Sequence, residues 1–385
     1  MIAWLVIGGV SLAAWLWLLL CRGFFWRTDQ RLPQGSEPRR WPPVAIVVPA
    51  RDEATVLPES LPSLLAQRYP GRAEVILVDD GSTDGTGALA RRMAEEHGGL
   101  PLRVCTPGEP PPGWAGKLWA LEHGIAEAGE RDYLLLTDAD IAHRPDSLAR
   151  LVAAAQEGRD LVSQMARLRT DTGWERLIVP AFVYFFAMLY PFRWVNRMSS
   201  RVAAGAGGCV LVRRTVLVQA GGVAAIRGAV IDDVALARLI KGAGGRIWLG
   251  LAERVRSIRP YPRLADLWQM IARSAYTQLR HSPLLLAGTV LGLALIFLGP
   301  PAATIAGAVL GAPLPALLGG AAWLLLAATF APMLAYYRQS LWIAPLLPAV
   351  AVLYTLMTLD SARRHYSGTG ARWKGRSYSE GRTWN

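Results

Sequence analysis

Between residues 44 and 140, short apolar runs alternate with amphipathic stretches. VAIVVPA (44–50), EVILVDD (74–80), LRVCTP (102–107) and YLLLTDAD (133–140) have the length and β-branched or leucine-rich content of buried strands. Helical periodicity separates them over residues 56–68, from the GSTDGT turn through about His97, and over residues 117–128. Such alternation predicts an α/β fold, a mostly parallel sheet flanked by helices. Further on, a strand precedes a short helix from Arg214, and IDDVALARLIKGAGG reads as an Asp-led helix with a glycine stop. RIWLGLAERVRSI reads as two more strand-like runs.

Longer apolar stretches frame this region. Residues 1–21 carry no charged side chain and are long enough to span a bilayer. They lack the basic start and small-residue cleavage site of a signal peptide, so they read as an uncleaved anchor. Residues 177–192 are aromatic-rich and interrupted by Pro180. A core helix fits them, but the flanking Arg176 and Arg193 favour a segment at the membrane interface. Leu264, Leu267, Ile271 and Ser274 recur at helical spacing beside Arg263, Arg273 and Arg280, as in an amphipathic helix on a bilayer surface. Three hydrophobic segments follow, at about 284–299, 314–335 and 341–359; Pro300, Pro301, Pro313 and Pro315 are expected to break the stretch between the first two, and Pro345 and Pro348 the last segment. Three full crossings would leave the basic tail on the side opposite the sheet domain, so one is expected to be re-entrant or interfacial.

The resulting organisation is an anchor (1–21), a basic linker (22–43), a cytosolic α/β domain (44–260, including the interfacial 177–192), an amphipathic helix (261–282), C-terminal membrane segments (283–360) and a basic tail (361–385). Composition agrees. The chain is 52% hydrophobic with mean hydropathy +0.25, between a soluble enzyme and a pure membrane bundle. The net charge is +12, but the basic residues border apolar segments: Arg22, Arg27, Arg31, Arg39 and Arg40 at one end, and Arg363, Arg364, Arg372, Lys374 and Arg376 at the other. That distribution follows the positive-inside rule and argues against nucleic acid as a partner. The expected location is the inner (cytoplasmic) membrane, multi-pass, with the α/β domain facing the cytosol. Cys21, Cys105 and Cys209 are far apart, which excludes a disulfide framework or zinc site.

The chemistry gathers at one edge of the sheet. The apolar runs end in Arg51-Asp52-Glu53, Asp79-Asp80 and Asp138-Ala139-Asp140, and ligands of parallel sheets bind at the carboxyl ends of strands. Asp79 and Asp80, before a Gly-Ser-Thr turn, suit a nucleotide's base or ribose; a plain turn with Thr83 or Asp84 capping the helix is an equal alternative. Lys117, at a helix start, suits a phosphate. Asp138 and Asp140 lie two residues apart, so in extended chain their side chains share a side and repel; a shared divalent cation, Mg²⁺ or Mn²⁺, would offset that. Asp146 is expected to cap the next helix. Of Asp232 and Asp233, one is expected to cap its helix and the other to act as general base, with Asp233 preferred as the base.

The ordered set VVPARDE, EVILVDDGSTDGT, GWAGKLWAL, TDAD, GG…IDD and RWKGRSY resembles family 2 glycosyltransferases of the GT-A fold. The membrane segments and tail are most similar to hopene-associated and ceramide-glucosyltransferase-like enzymes. The resemblance implies that Pro49, Arg51, Glu53, Asp79 and Asp80 surround the nucleotide of a sugar donor, usually UDP-linked. It implies Asp140 as the direct metal ligand, Asp138 on ribose or metal, and an inverting displacement with the second acid of the DD pair as base. The relatives' Q/R-x-x-R-W motif is altered: Arg273 follows Gln269 by four residues, and Ser274 stands in tryptophan's place. Arg273 is retained as a diphosphate-facing candidate. The expected activity is sugar transfer to a lipid hydroxyl, hopanoid- or sphingolipid-like. The alternatives are transfer to a polyprenyl phosphate, or a non-catalytic nucleotide-binding membrane scaffold.

Overall fold

The computed structural model describes residues 1–33 and 36–367, and the backbone of residues 372–373 and 376–377. The chain divides into two compact units. One contains Gln30–Arg169 and Trp194–Pro260; the other contains Met1–Asp29, Thr170–Arg193 and the C-terminal helices from Tyr261 onward.

The first unit is built on an eight-stranded sheet: β1 (Val44–Ala50), β2 (Ala73–Asp79), β3 (Leu102–Cys105), β4 (Tyr133–Leu136), β5 (Ile141–His143), β6 (Leu161–Arg167), β7 (Val210–Arg213) and β8 (Ile247–Ser257). The order is β3-β2-β1-β4-β7-β6-β8-β5. β1 to β4 pair in parallel, as their helical crossovers require. β7 runs antiparallel to β4 and β6, β6 pairs in parallel with β8, and β5 closes the edge antiparallel to β8. The carboxyl ends of β1, β2 and β4 therefore share one edge. β1 and β4 are buried along their whole length, which is why their sequences show no polar alternation.

The structure departs from the sequence pattern in places. RIWLGLAERVRSI is one long strand, β8, rather than two. β4 stops at Leu136, so Thr137 to Asp140 form the turn beyond it. β5 and β6 had no clear pattern of their own. The helix Gly116–Glu127 packs closely on the sheet because Gly124 lies against it: a Cβ there would stand 2.5 Å from Val47 Cγ1 and 2.8 Å from Val78 Cγ2.

The second unit is helical. Four of its helices are long and apolar enough to cross a membrane: Ile2–Cys21, Pro283–Val309, Pro313–Tyr336 and Leu341–Tyr366. Pro300 and Pro301 do not break the second of these. A π turn over Ala294–Leu298 precedes them, and the helix continues to Val309. A widened turn relieves the clash between a proline ring and the preceding turn. Pro345 sits in a 3₁₀ segment (Leu341–Leu346), and Pro348 falls in the first turn of the helix Leu347–Tyr366, where no N–H is needed.

The segment expected at the membrane interface lies largely within the helix Gly173–Leu189, begun by a capping box between Thr172 and Glu175. It belongs with the apolar helices, not with the sheet unit. Tyr184 is fully buried, its hydroxyl 2.8 Å from that of Thr329, and Phe185 packs edge-on against Phe297. The amphipathic helix is present as Leu264–Gln278, burying Leu267, Ile271, Ala272 and Tyr276. Of the closing RWKGRSY motif, Arg372–Trp373 pairs antiparallel with Arg376–Ser377; Lys374 and the remaining tail lie outside the described residues.

Gly124→Ala is expected to lower the stability of the sheet unit by about 1–3 kcal/mol through overpacking, read as a lower thermal midpoint for the purified protein.

Candidate active site

The loops after β1 and β2 are tied together. The Asp52 N–H donates to Ser82 Oγ at 3.0 Å, the Glu53 N–H to Thr86 Oγ1 at 2.9 Å and the Ala54 N–H to Asp84 Oδ2 at 2.9 Å. Asp52 adopts φ 49°, and its carboxylate accepts the Thr83 N–H at 2.8 Å. Asp84 thus fastens two loops as well as accepting the Thr86 N–H at the helix start. Asp79 accepts the Ser82 N–H at 3.0 Å, and its other carboxylate oxygen lies where a Cβ on Gly87 would fall. Asp80 is buried, with Arg51 Nη1 3.5 Å from its carboxylate and also bonded to its carbonyl.

Beyond β4 the two aspartates diverge. Lys117 Nζ lies 2.8 Å from Asp138 Oδ1 and 2.9 Å from Asp232 Oδ2. Asp140 turns to another cation: Arg259 Nε donates to its Oδ2 at 2.6 Å, while Arg259 Nη2 meets both oxygens of Glu53 at 2.8 and 2.7 Å. The two carboxylates therefore hold separate protein cations, where one shared cation was expected. Leaving the strand at Leu136 allows this, because a turn need not keep both side chains on one face.

Thr137 anchors that turn. Its hydroxyl donates to the Gly208 carbonyl at 2.7 Å, so it accepts from His143 Nε2–H at 3.0 Å. His143 Nδ1 is then left to accept from Ser147 Oγ at 3.3 Å. Burial pushes the His143 pKa down to about 4.

Asp232 and Asp233 are the first two residues of the helix Asp232–Gly242. Asp232 does not cap it; the residue before the helix is Ile231, and the Asp232 carboxylate points to Lys117. Asp233 Oδ2 accepts the Gly207 N–H at 2.9 Å and Oδ1 its neighbour Val234 N–H at 2.7 Å. Glycine permits this approach: a Cβ on Gly205 would stand 2.9 Å from the Asp233 carbonyl oxygen. Asp146 likewise makes no cap bond, and instead pairs with Arg150 at 2.9 Å and Arg254 at 2.8 Å.

Pro49, Lys117, Asp138, Asp232 and Asp233 line one cleft, closed on its apolar side by Leu118, Leu121 and Val223. Burial, reinforced by Asp232, raises the Asp233 pKa to about 6 against the opposing pull of Lys117. Burial also raises Asp138, against Lys117 and with Asp140 and Asp232. For Lys117, burial works against the charged form, but Asp138 and Asp232 outweigh it and hold the proton on. Arg273 lies in the helix Leu264–Gln278 of the other unit.

Sequence reasoning missed Arg259. The available signal was an arginine just past a strand end, in SIRPYPR, without a motif to mark it. It also missed His143, which looks like an ordinary histidine until Thr137 is seen beside it.

A carboxylate-rich carboxyl edge with a basic side chain at a helix start invites comparison with known proteins. Residues 45–220 match the family described as glycosyl transferase family 2. Over those residues the chain is similar to glycosyl transferase family 2. Within curated proteins, the chain is 32% identical over 181 residues to the undecaprenyl-phosphate 4-deoxy-4-formamido-L-arabinose transferase of Pseudomonas paraeruginosa, covering 45% of this chain and 48% of that one. The enzyme of the same name from Aeromonas hydrophila is 34% identical over 139 residues, 34% of this chain and 39% of that one. The chain thus spans about half the length of the first of these family 2 relatives. In fold it is similar to a mannosyltransferase from Pyrobaculum calidifontis in complex with GDP-Man and Mn²⁺, with TM-score 0.53 and 22% identity over 92% of this chain and 99% of that one.

The His143 pKa has a consequence for stability. Below about 6.5 the unfolded chain takes up a proton that the folded imidazole refuses, so stability falls as pH drops toward 4, by up to roughly 3 kcal/mol. The loss of thermal midpoint between pH 7 and pH 4.5 is expected to be smaller in His143→Asn than in the wild type.

Proposed function

We propose that the protein is a membrane-bound, inverting glycosyltransferase that moves a sugar from a nucleotide-diphosphate sugar to a lipid hydroxyl. The observation that carries this reading is Asp233: a half-buried acid whose pKa is raised to about 6, in one cleft with Asp138 and Lys117 at the sheet's carboxyl edge. A carboxylate so tuned is suited to take a proton from a hydroxyl as it attacks the anomeric carbon. Asp232 and Lys117 hold Asp138 and the start of the Asp233 helix in register. Glu53, Arg51, Asp80 and Pro49 form the donor side, with Asp79 shaping its loop.

The acids also suit a divalent cation. Asp138 and Asp232 pair with Lys117, Asp140 and Glu53 pair with Arg259, and Asp233 lines the same cleft as Asp138, an oxygen-rich and anionic donor set. Among the described residues no three such side chains converge to hold a metal alone. Mg²⁺ and Mn²⁺ take few protein carboxylates and complete their shell with phosphate oxygens and water. Asp140 and Asp138 would hold the ion, which supplies charge neutralisation for the departing diphosphate. The similar mannosyltransferase was solved with Mn²⁺ and a GDP-linked donor, so GDP sugars belong beside UDP sugars as candidates.

A lipid acceptor is supported by the four apolar helices and by the arginines that follow the first of them, which favour an inner-membrane protein with its sheet unit in the cytosol. The relatives' names favour a second reading, in which the acceptor is a polyprenyl phosphate. A phosphate is already ionised near neutral pH and needs no base.

Purified protein is to be incubated with UDP and GDP sugars, extracted membrane lipid and Mg²⁺ or Mn²⁺, and new glycolipids read by mass spectrometry. With a hydroxyl acceptor, kcat/KM is expected to rise with pH through about 6 as Asp233 ionises, and Asp233→Asn to cost about 10²–10⁴-fold. Full activity of that variant on a phosphate acceptor selects the second reading. Asp140→Ala turning over donor at the wild-type rate, with chelator present, overturns metal-assisted transfer. Tight donor binding without transfer to any lipid favours a scaffold.

A further inference from the structure

Arg259 has no part in the proton transfer above, yet it occupies the acid expected to bind metal. Its guanidinium spans two carboxylates, with Nε on Asp140 Oδ2 at 2.6 Å and Nη2 on both Glu53 oxygens. Glu53 is 6% exposed and held in place by its own N–H to Thr86 Oγ1 and by the Leu57 N–H on its carbonyl. Asp140 is equally fixed, since its carbonyl accepts the Ile258 N–H at 2.9 Å, one residue before the arginine. The Arg259 side chain is 27% exposed, so the clamp has an open side.

A guanidinium does not give up its proton at any physiological pH. A divalent ion approaching Asp140 therefore meets a fixed positive charge already on the carboxylate oxygen. Binding through Oδ2 requires Nε to release it, and binding through Oδ1 sets the ion beside the guanidinium; either way two cations lie close together unless an anion joins them. A diphosphate is such an anion, and its oxygens match the donor fork of an arginine. Glu53, gripping Nη2 through both oxygens, can serve as the pivot while Nε changes partner.

We propose that Arg259 is a positioning residue that makes divalent-cation binding conditional on a nucleoside diphosphate: it occludes Asp140 from the free ion and passes to phosphate oxygens when ion and diphosphate arrive together. The inference rests on the donor-binding reading of the site and adds to it an order of assembly. It also gives the site a diphosphate-facing arginine, a part the sequence pattern offered to Arg273.

The test is Mn²⁺ binding to the full chain in detergent, followed by electron paramagnetic resonance of the free ion, without nucleotide and with UDP or GDP. Wild type is expected to bind Mn²⁺ at least about tenfold more tightly with one of the diphosphates than alone. Arg259→Gln is expected to bind the free ion about tenfold more tightly than wild type and to lose most of the gain from nucleotide. Arg259→Lys keeps the charge but cannot span both acids, so it is expected to fall between them, and it serves in place of the glutamine variant should that one fail to fold. Free-ion affinity unchanged by the substitutions, with wild type still binding Mn²⁺ beside nucleotide, overturns the inference and leaves the proposed function standing. Wild type that binds no Mn²⁺ in either condition overturns both.

Discussion

The site depends on the pairing of strand-end carboxylates with two cations, Lys117 and Arg259. Acids brought together at one edge of a sheet repel one another and lose hydration. Lys117 offsets this for Asp138 and Asp232, and Arg259 for Asp140 and Glu53. Each cation joins distant pieces of chain. Lys117 links the start of one helix to the turn after β4 and the start of another helix; Arg259 links the end of β8 to the loop after β1. The same contacts that keep the cleft together also keep its acids in reach of a ligand.

The surrounding structure makes those pairings possible. Parallel β1, β2 and β4 bring their carboxyl ends to one edge. The Thr137–His143–Ser147 chain fixes the turn that carries both aspartates. Gly205 allows the loop before β7 to approach the Asp233 backbone, and the Asp233 pKa follows from desolvation beside Asp232. The shift therefore comes from packing and neighbours. A helix N-terminus and Lys117 alone would push that carboxyl down.

In the helical unit, apolar side chains and caps such as Thr172–Glu175 set which helices form, while local geometry sets how prolines are accommodated. Pro300 and Pro301 follow a π turn, and Pro348 occupies a first helical turn. The aromatic helix Gly173–Leu189 lies between two parts of the sheet unit in sequence but folds with the apolar helices.

Much of the sheet was legible in the chain. β1 to β4 are apolar runs bounded by turn residues, and the acids after β1, β2 and β4 mark the candidate edge in the sequence itself. β5 and β6 were not legible: β5 has only three residues, and Ser163 and Gln164 interrupt the apolar run of β6. The residue types of the site were also present in the sequence: Lys117, Asp138, Asp140, Asp232 and Asp233 were all singled out. What sequence could not assign was partnership. Spacing relates residues along one element, whereas Asp140 and Arg259 are 119 residues apart and meet only because β5 pairs with β8. Hydrophobic pattern and local turn chemistry thus determined the strands, the helices and the acidic edge. The tertiary fold decided which charge answers which, because a carboxylate's partner and its desolvation depend on distances that only packing sets.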